Sequence, residues 1–173
     1  GEYERIEQLV LHVDPLHLDL DQTLPLCTKY KLWDAVVYVS TSALHDYTTP
    51  LHDLLQRAYT AVQGQEAPDA YRLFSFLASV SRGVQHPNEH PLPPNEARAA
   101  AADVYATIYA REAQTFLIPT AQPYPYLRML LELDAEALLD VIDLGLEGDL
   151  YAEDEDDALP TRRDVVDALL AVS

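Results

Sequence analysis

The chain has 173 residues, with 11 Lys and Arg against 29 Asp and Glu, a formal net charge of −18 and a pI near 4.4. A surface this negative repels phosphates, which excludes nucleic acid as a partner and disfavours anionic membrane surfaces. A hydrophobic share of 49% over this length suits one globular unit with a sizeable core rather than disorder of the whole chain.

Apolar periodicity then predicts one helix after another. Ile6, Leu9, Val10 and Val13 stand at i, i+3, i+4 and i+7, one face of a first helix that meets Asp14 and Pro15. DLDQTLPLCTKY reads as a short second helix with Pro25 in its first turn, and Tyr30 and Lys31 make a joint. From Leu32 to Asp46, one stripe holds Leu32, Ala35, Val36, Val39 and Ala43, and a second holds Trp33, Val37 and Leu44, as in a helix sandwiched between neighbours. Thr48 and Thr49 offer capping oxygens, Pro50 suits the first helical position, and Leu51, Leu54, Leu55, Ala58 and Val62 continue a core face up to Gly64. A fifth helix, from Asp69 to Arg82, turns Leu73, Phe76, Leu77 and Val80 inward and stops at Gly83.

The proline-rich stretch 84–94, VQHPNEHPLPP, predicts an exposed, extended and flexible connector. Asn95 is the expected cap of an alanine-rich helix from Glu96 to about Phe116, and Pro119, Pro123 and Pro125 break the chain before YLRMLLEL. Asp134 is expected to cap a helix burying Ala135, Leu138, Leu139, Ile142 and Leu146, and Thr161 to cap a last one burying Val165, Leu169 and Val172. The expectation is all-α: one irregular helical-hairpin array, an α-solenoid of about nine helices over 1–173, with an acidic loop at 149–160. No fixed signature of the tetratricopeptide or ankyrin kind can be laid on it. Ile6, Leu9, Val13, Leu32, Trp33, Val36, Val39, Leu51, Leu54 and Leu55 are the expected structural core.

Chemistry-bearing motifs are mostly missing. The five glycines never cluster into a phosphate-binding loop, and neither Glu-x-x-His nor HExxH occurs, so no catalytic, cofactor-binding or metal residue is assigned. His45-Asp46 and His52-Asp53 fall on different helices, and His86 and His90 in the proline loop would make a weak metal pair. Lone Cys27, in a leucine-rich helix, reads as a small buried apolar side chain and rules out an internal disulfide. No apolar window is long enough to span a membrane, and GEYERIEQ is charged where a secretory signal is apolar. The start at Gly1 and the stop within DALLAVS read as a piece of something larger, with cut helical ends prone to self-association.

Two surfaces remain for binding. Glu136, Asp140, Asp143 and Glu147 form one acidic helical face opposite the leucine stripe, and Glu153, Asp154, Glu155, Asp156 and Asp157 extend it, a candidate surface for a basic partner. PLPP at Pro91–Pro94 lacks the adjacent basic residue that peptide-binding aromatic grooves favour, and is read as connector.

Longer stretches bring a family into view. RIEQLVLHVDP (Arg5–Pro15), LDLDQ (Leu18–Gln22), LWDAVVYV (Leu32–Val39), ALHDYTTPL (Ala43–Leu51) and PYPYLRMLLELDAEALLDVID (Pro123–Asp143) resemble, in order, the helical region of the vacuolar protein sorting-associated protein eight family, the CORVET-specific tethering subunits. The stretch between Gln63 and Pro123 matches that family poorly. The resemblance implies the middle or later part of a clathrin-heavy-chain-like α-solenoid, without the family's amino-terminal β-propeller or carboxy-terminal RING-type zinc module. It implies a non-enzymatic scaffold in vesicle fusion and endosome-to-vacuole or lysosome transport, cytoplasmic and peripheral on early endosomes, with no direct membrane insertion. Implied partners are the other CORVET and class C tethering subunits and, through the full-length protein, an early-endosomal Rab GTPase, although no Rab-contact motif is matched. A helical-repeat module binding a basic peptide or partner helix is the alternative; a helical enzyme would need ionisable groups with shifted pKa values gathered in one cleft.

Overall fold

The computed structural model describes residues 1–113, 122–155 and 157–173. Within them the chain forms α1 (Glu2–Leu11), α2 (Leu20–Lys29), α3 (Trp33–Leu44), α4 (Thr48–Val62), α5 (Arg72–Arg82), α6 (Pro94–Ile108), α7 (Pro125–Glu147) and α8 (Arg162–Val172), with short 3-10 turns at Pro15–His17 and Pro68–Tyr71. Among the described residues there is no strand, only isolated bridges pairing Val84 with Pro91 and Ala152 with Thr161. The all-α helical array expected from the sequence is what forms. Its helices pack in series: α1 and α2 on α3, α3 on α4 and α5, α4 and α5 on α7 with α6 alongside, and α8 on α7.

The element boundaries follow local chemistry, and several differ from expectation. Asp46, rather than Thr48 or Thr49, caps α4: its Oδ1 accepts from the N–H groups of both threonines at 3.0 Å, where a carboxylate also answers the positive end of the helix. Pro25 lies inside α2 because that helix starts earlier, with the Asp19 carbonyl accepting from Thr23 N–H at 2.8 Å. The bond Pro25 cannot make falls on an exposed side, where Asp21 and Pro25 are both open to solvent. No side chain of Asn95 caps α6, which opens on Pro94, whose fixed φ suits a first turn. That helix ends at Ile108; the expected end near Phe116 and the break at Pro119 lie outside the described residues. Gly83 closes α5 in the left-handed conformation, φ 70°. Asp134 interrupts α7 with φ −164° and ψ 95°, and its Oδ1 accepts from Ala137 N–H at 3.0 Å, so two helical runs meet there.

Burial is concentrated in the middle of the array. Leu32, Trp33, Val36, Val39, Leu51, Leu54 and Leu55 are all buried, with Leu73, Phe76, Leu77, Tyr126, Leu127, Leu130 and Leu138. Ile6, Leu9 and Val13 are not: they are 37%, 67% and 36% exposed, and α1 has no buried residue. The cause is position. The helix lies at the end of the series: Glu7 accepts from Ala35 N–H at 3.3 Å and Tyr3 stacks on Tyr30 at 4.5 Å, contacts that cover its apolar stripe only in part. Val166 and Leu170 of α8 are exposed at the opposite end of the series.

The 84–94 stretch is exposed at 88–91, 93 and 94 but does not run as an extended connector. Gln85 N–H donates to the His90 carbonyl at 2.8 Å, Glu89 N–H to the Gln85 carbonyl at 2.8 Å, and Leu92 N–H to the Gly83 carbonyl at 3.0 Å, so the segment turns back on itself. His86 points inward and is 8% exposed. A proline-rich composition signals the absence of helix, and here side chains on other helices fold the resulting loop onto the body.

Candidate functional site

The acidic surface is built on the second run of α7. Leu138, Val141, Ile142 and Gly145, at i, i+3, i+4 and i+7, face inward and are buried. That register turns Glu136, Asp140, Asp143 and Glu147 outward, and all four are exposed. Leu139, expected in the core, is 46% exposed and stands among them, since it lies three residues after Glu136 and four before Asp143. The outer face is therefore acidic with one apolar side chain at its centre. Among the described residues no ion pair engages these four carboxylates, and the sequence from Glu132 to Asp157 carries twelve acidic residues without a Lys or Arg.

The acidic loop is pinned at both ends. Leu150, Tyr151, Ala152 and Leu159 are buried, and Ala152 N–H donates to the Pro160 carbonyl at 2.9 Å. Tyr151 stacks on Tyr105 at 4.8 Å between ring centroids, and its hydroxyl lies 2.7 Å from that of Tyr109. Gly145 permits this approach: a Cβ there would fall 2.7 Å from both the Tyr105 hydroxyl and the Tyr151 ring. Thr161 and Asp164 form a reciprocal cap on α8, at 3.0 and 2.9 Å. Between these anchors Glu153, Asp154 and Glu155 are exposed, and Asp156 lies outside the described residues. Asp157 is held within the chain. It turns back to accept from Leu159 N–H at 3.1 Å and pairs with Arg98 of α6, and these donors hold its carboxyl below the usual range.

A second polar cluster joins α3, α5 and the 84–94 turn. His86 Nε2 lies 2.9 Å from Asp34 Oδ1 and its Nδ1 3.3 Å from Ser79 Oγ, while Arg72 donates to the other Asp34 oxygen. The residue types are those of a nucleophilic triad. Ser79 and His86 are 6% and 8% exposed, however, with Ser79 on the inward face of α5, so a substrate has no approach to the hydroxyl and the row serves as a tie. Nearby, the Trp33 indole N–H and the Arg57 guanidinium both donate to Asp69. Sequence reasoning missed these ties because partners 36 and 52 residues apart leave no spacing signal. Among the described residues no group of three His, Cys, Asp or Glu side chains is placed to hold a metal ion, and no helix is long and apolar enough to cross a membrane.

Comparison with known proteins identifies the array. A family model described as the Vps8 central TPR matches residues 1–145. The vacuolar protein sorting-associated protein 8 homolog of Drosophila melanogaster is 32% identical over 143 residues, covering 83% of this chain and 11% of that protein. The Saccharomyces cerevisiae protein of the same name is 25% identical over 191 residues, covering 95% of this chain and 15% of the yeast protein. The Homo sapiens homolog is 24% identical over 181 residues, or 98% and 12%. The chain thus spans a small fraction of the length of these relatives. The family description names a tetratricopeptide array, whereas the helices here run from 10 to 15 residues apart from α7, which joins two unequal runs at Asp134, so no regular 34-residue signature is readable.

Proposed function

The chain belongs to the Vps8 family, and from that premise we propose that it is a non-enzymatic scaffold segment of an endosomal membrane-tethering subunit, acting in vesicle fusion and endosome-to-vacuole or lysosome protein transport. The observation that carries this reading is the serial packing of helices over the stretch that the family model matches. In such an array each helix pair contacts its neighbours, and the whole fixes the distance between modules at its ends. The partners in this reading are other CORVET and class C tethering subunits, with an early-endosomal Rab GTPase engaged through the full-length protein. The protein works in the cytoplasm, peripherally on early endosome membranes. The exposed apolar side chains of α1, α2 and α8, among them Leu9, Leu26 and Leu170, are the faces on which further helices or a second copy would pack.

A second reading rests on the α7 face. Unpaired carboxylates around exposed Leu139 suit a basic peptide or partner helix with an apolar anchor. A chimera tests the first reading: this chain replaces the matched segment of the yeast relative. Restored vacuolar protein sorting supports a scaffold segment; a stable, full-length chimera that fails to sort speaks against it.

A further inference from the structure

The end of α3, the 84–94 turn and one face of α6 form a half-open pocket of about 250 Å³, whose lining includes His45, Tyr47, Leu92 and, on its exposed side, Glu96, Ala99 and Asp103. Glu96, Ala99, Ala100 and Asp103 follow the i, i+3, i+4, i+7 spacing, so α6 turns two carboxylates and two methyl groups toward one side. The floor is built in advance. Gln85 Nε2 donates to Thr41 Oγ1 at 2.8 Å and to the His86 carbonyl at 3.2 Å, and His86 is itself tied to Asp34.

The charge around this cavity is unbalanced. No Lys or Arg lines it, and among the described residues neither Glu96 nor Asp103 takes part in an ion pair. Tyr47 supplies an aromatic wall; burial and the Glu96 charge push its phenol up, so it remains neutral. Carboxylates at the rim, a ring at the side and apolar Leu92, Ala99 and Ala100 are what a long cationic side chain needs, its stem on the methyl groups and its charge between acids.

We infer that this cavity receives a lysine or arginine side chain from a partner protein. The site is separate from the α7 face, involves different elements, and does not depend on the scaffold reading. It would give the array a second anchoring point, selective for a cation at one position rather than for general positive charge.

An amide NMR titration of the 173-residue chain tests it, with short acetylated alanine peptides carrying one central arginine, lysine or citrulline. Saturable shifts are expected at Ser42, Leu92, Ala99 and Ala100 with arginine or lysine and not with neutral citrulline. Glu96→Gln and Asp103→Asn should each weaken binding about two- to fivefold while the remaining spectrum stays unchanged. The inference is overturned if citrulline binds equally, if the shifts map to Glu136–Glu147 or 153–155 instead, if both variants bind as the parent does, or if no peptide shifts the cavity residues.

Discussion

Asp34 and His86 are 52 residues apart in sequence, and His86 Nε2 lies 2.9 Å from Asp34 Oδ1. This contact fixes the proline-rich turn to the body of the array. Burial alone would raise the Asp34 carboxyl, but the hydrogen bond and charge of His86 and the Arg72 guanidinium outweigh it and hold the group below its ordinary value. Asp69 is lowered in the same way, its burial outweighed by Arg57 and Trp33. A carboxyl depressed in the folded state contributes stability above its unfolded pKa and loses it as pH falls through the folded value. The melting temperature should therefore hold between neutral pH and about pH 5 and decline below about pH 4, with a shallower decline in Asp34→Asn. Thermal melts across that range check it.

Removing the other partner tests the tie itself. His86→Ala leaves the Ser79 hydroxyl and one Asp34 oxygen without this partner and should cost about 1–3 kcal/mol at neutral pH. Amide exchange at Gln85, Glu89 and Leu92 should quicken at the same time, because their hydrogen bonds close the turn.

Trp33 combines an apolar and a polar role. It is 7% exposed, and its N–H donates to Asp69, which Arg57 also holds through bonds of 2.9–3.1 Å. Trp33→Phe, which keeps most of the ring volume, should cost about 1.5–3 kcal/mol for the lost bond to a charged acceptor. Trp33→Ala should cost about 3–5 kcal/mol. Urea unfolding separates the two: a negligible loss in Trp33→Phe would mean the hydrogen bond contributes little, and equal losses would mean the ring packing does.

Gly145 is the fourth test. Alanine there gains up to about 1 kcal/mol of helix propensity but drives a methyl group into the Tyr105–Tyr151 stack, at an overpacking cost of about 1–3 kcal/mol. Net destabilisation is expected in Gly145→Ala, with faster amide exchange at Leu150 and Ala152 as the loop anchor loosens. A more stable variant would show that the rings move aside freely.

The helices were legible in the sequence where apolar stripes coincide with packed neighbours, as in α3 with its two stripes and α5 with one. They were misread where periodicity implied a core that position does not supply: the Ile6, Leu9 and Val13 stripe is regular, yet α1 stands at the end of the series and its neighbours cover that stripe only in part. Capping by Thr161 and the break at Asp134 were readable because their signals are local. The tie of Asp34 to His86, which buries that one residue of the proline-rich turn, and the return of Asp157 to Arg98 were not, since each joins distant segments. The same holds for the α6 cavity, whose walls come from three separate stretches of chain.

The central claim is that this segment holds other tethering subunits in place. A pull-down of the purified chain against each CORVET subunit, and against the early-endosomal Rab in GTP and GDP forms, at low and moderate salt, tests it most directly. The account predicts nucleotide-independent retention of at least one subunit, lost when Glu136, Asp140 and Asp143 are changed to Lys. Absence of any subunit from the retained material, at either salt concentration, would contradict it.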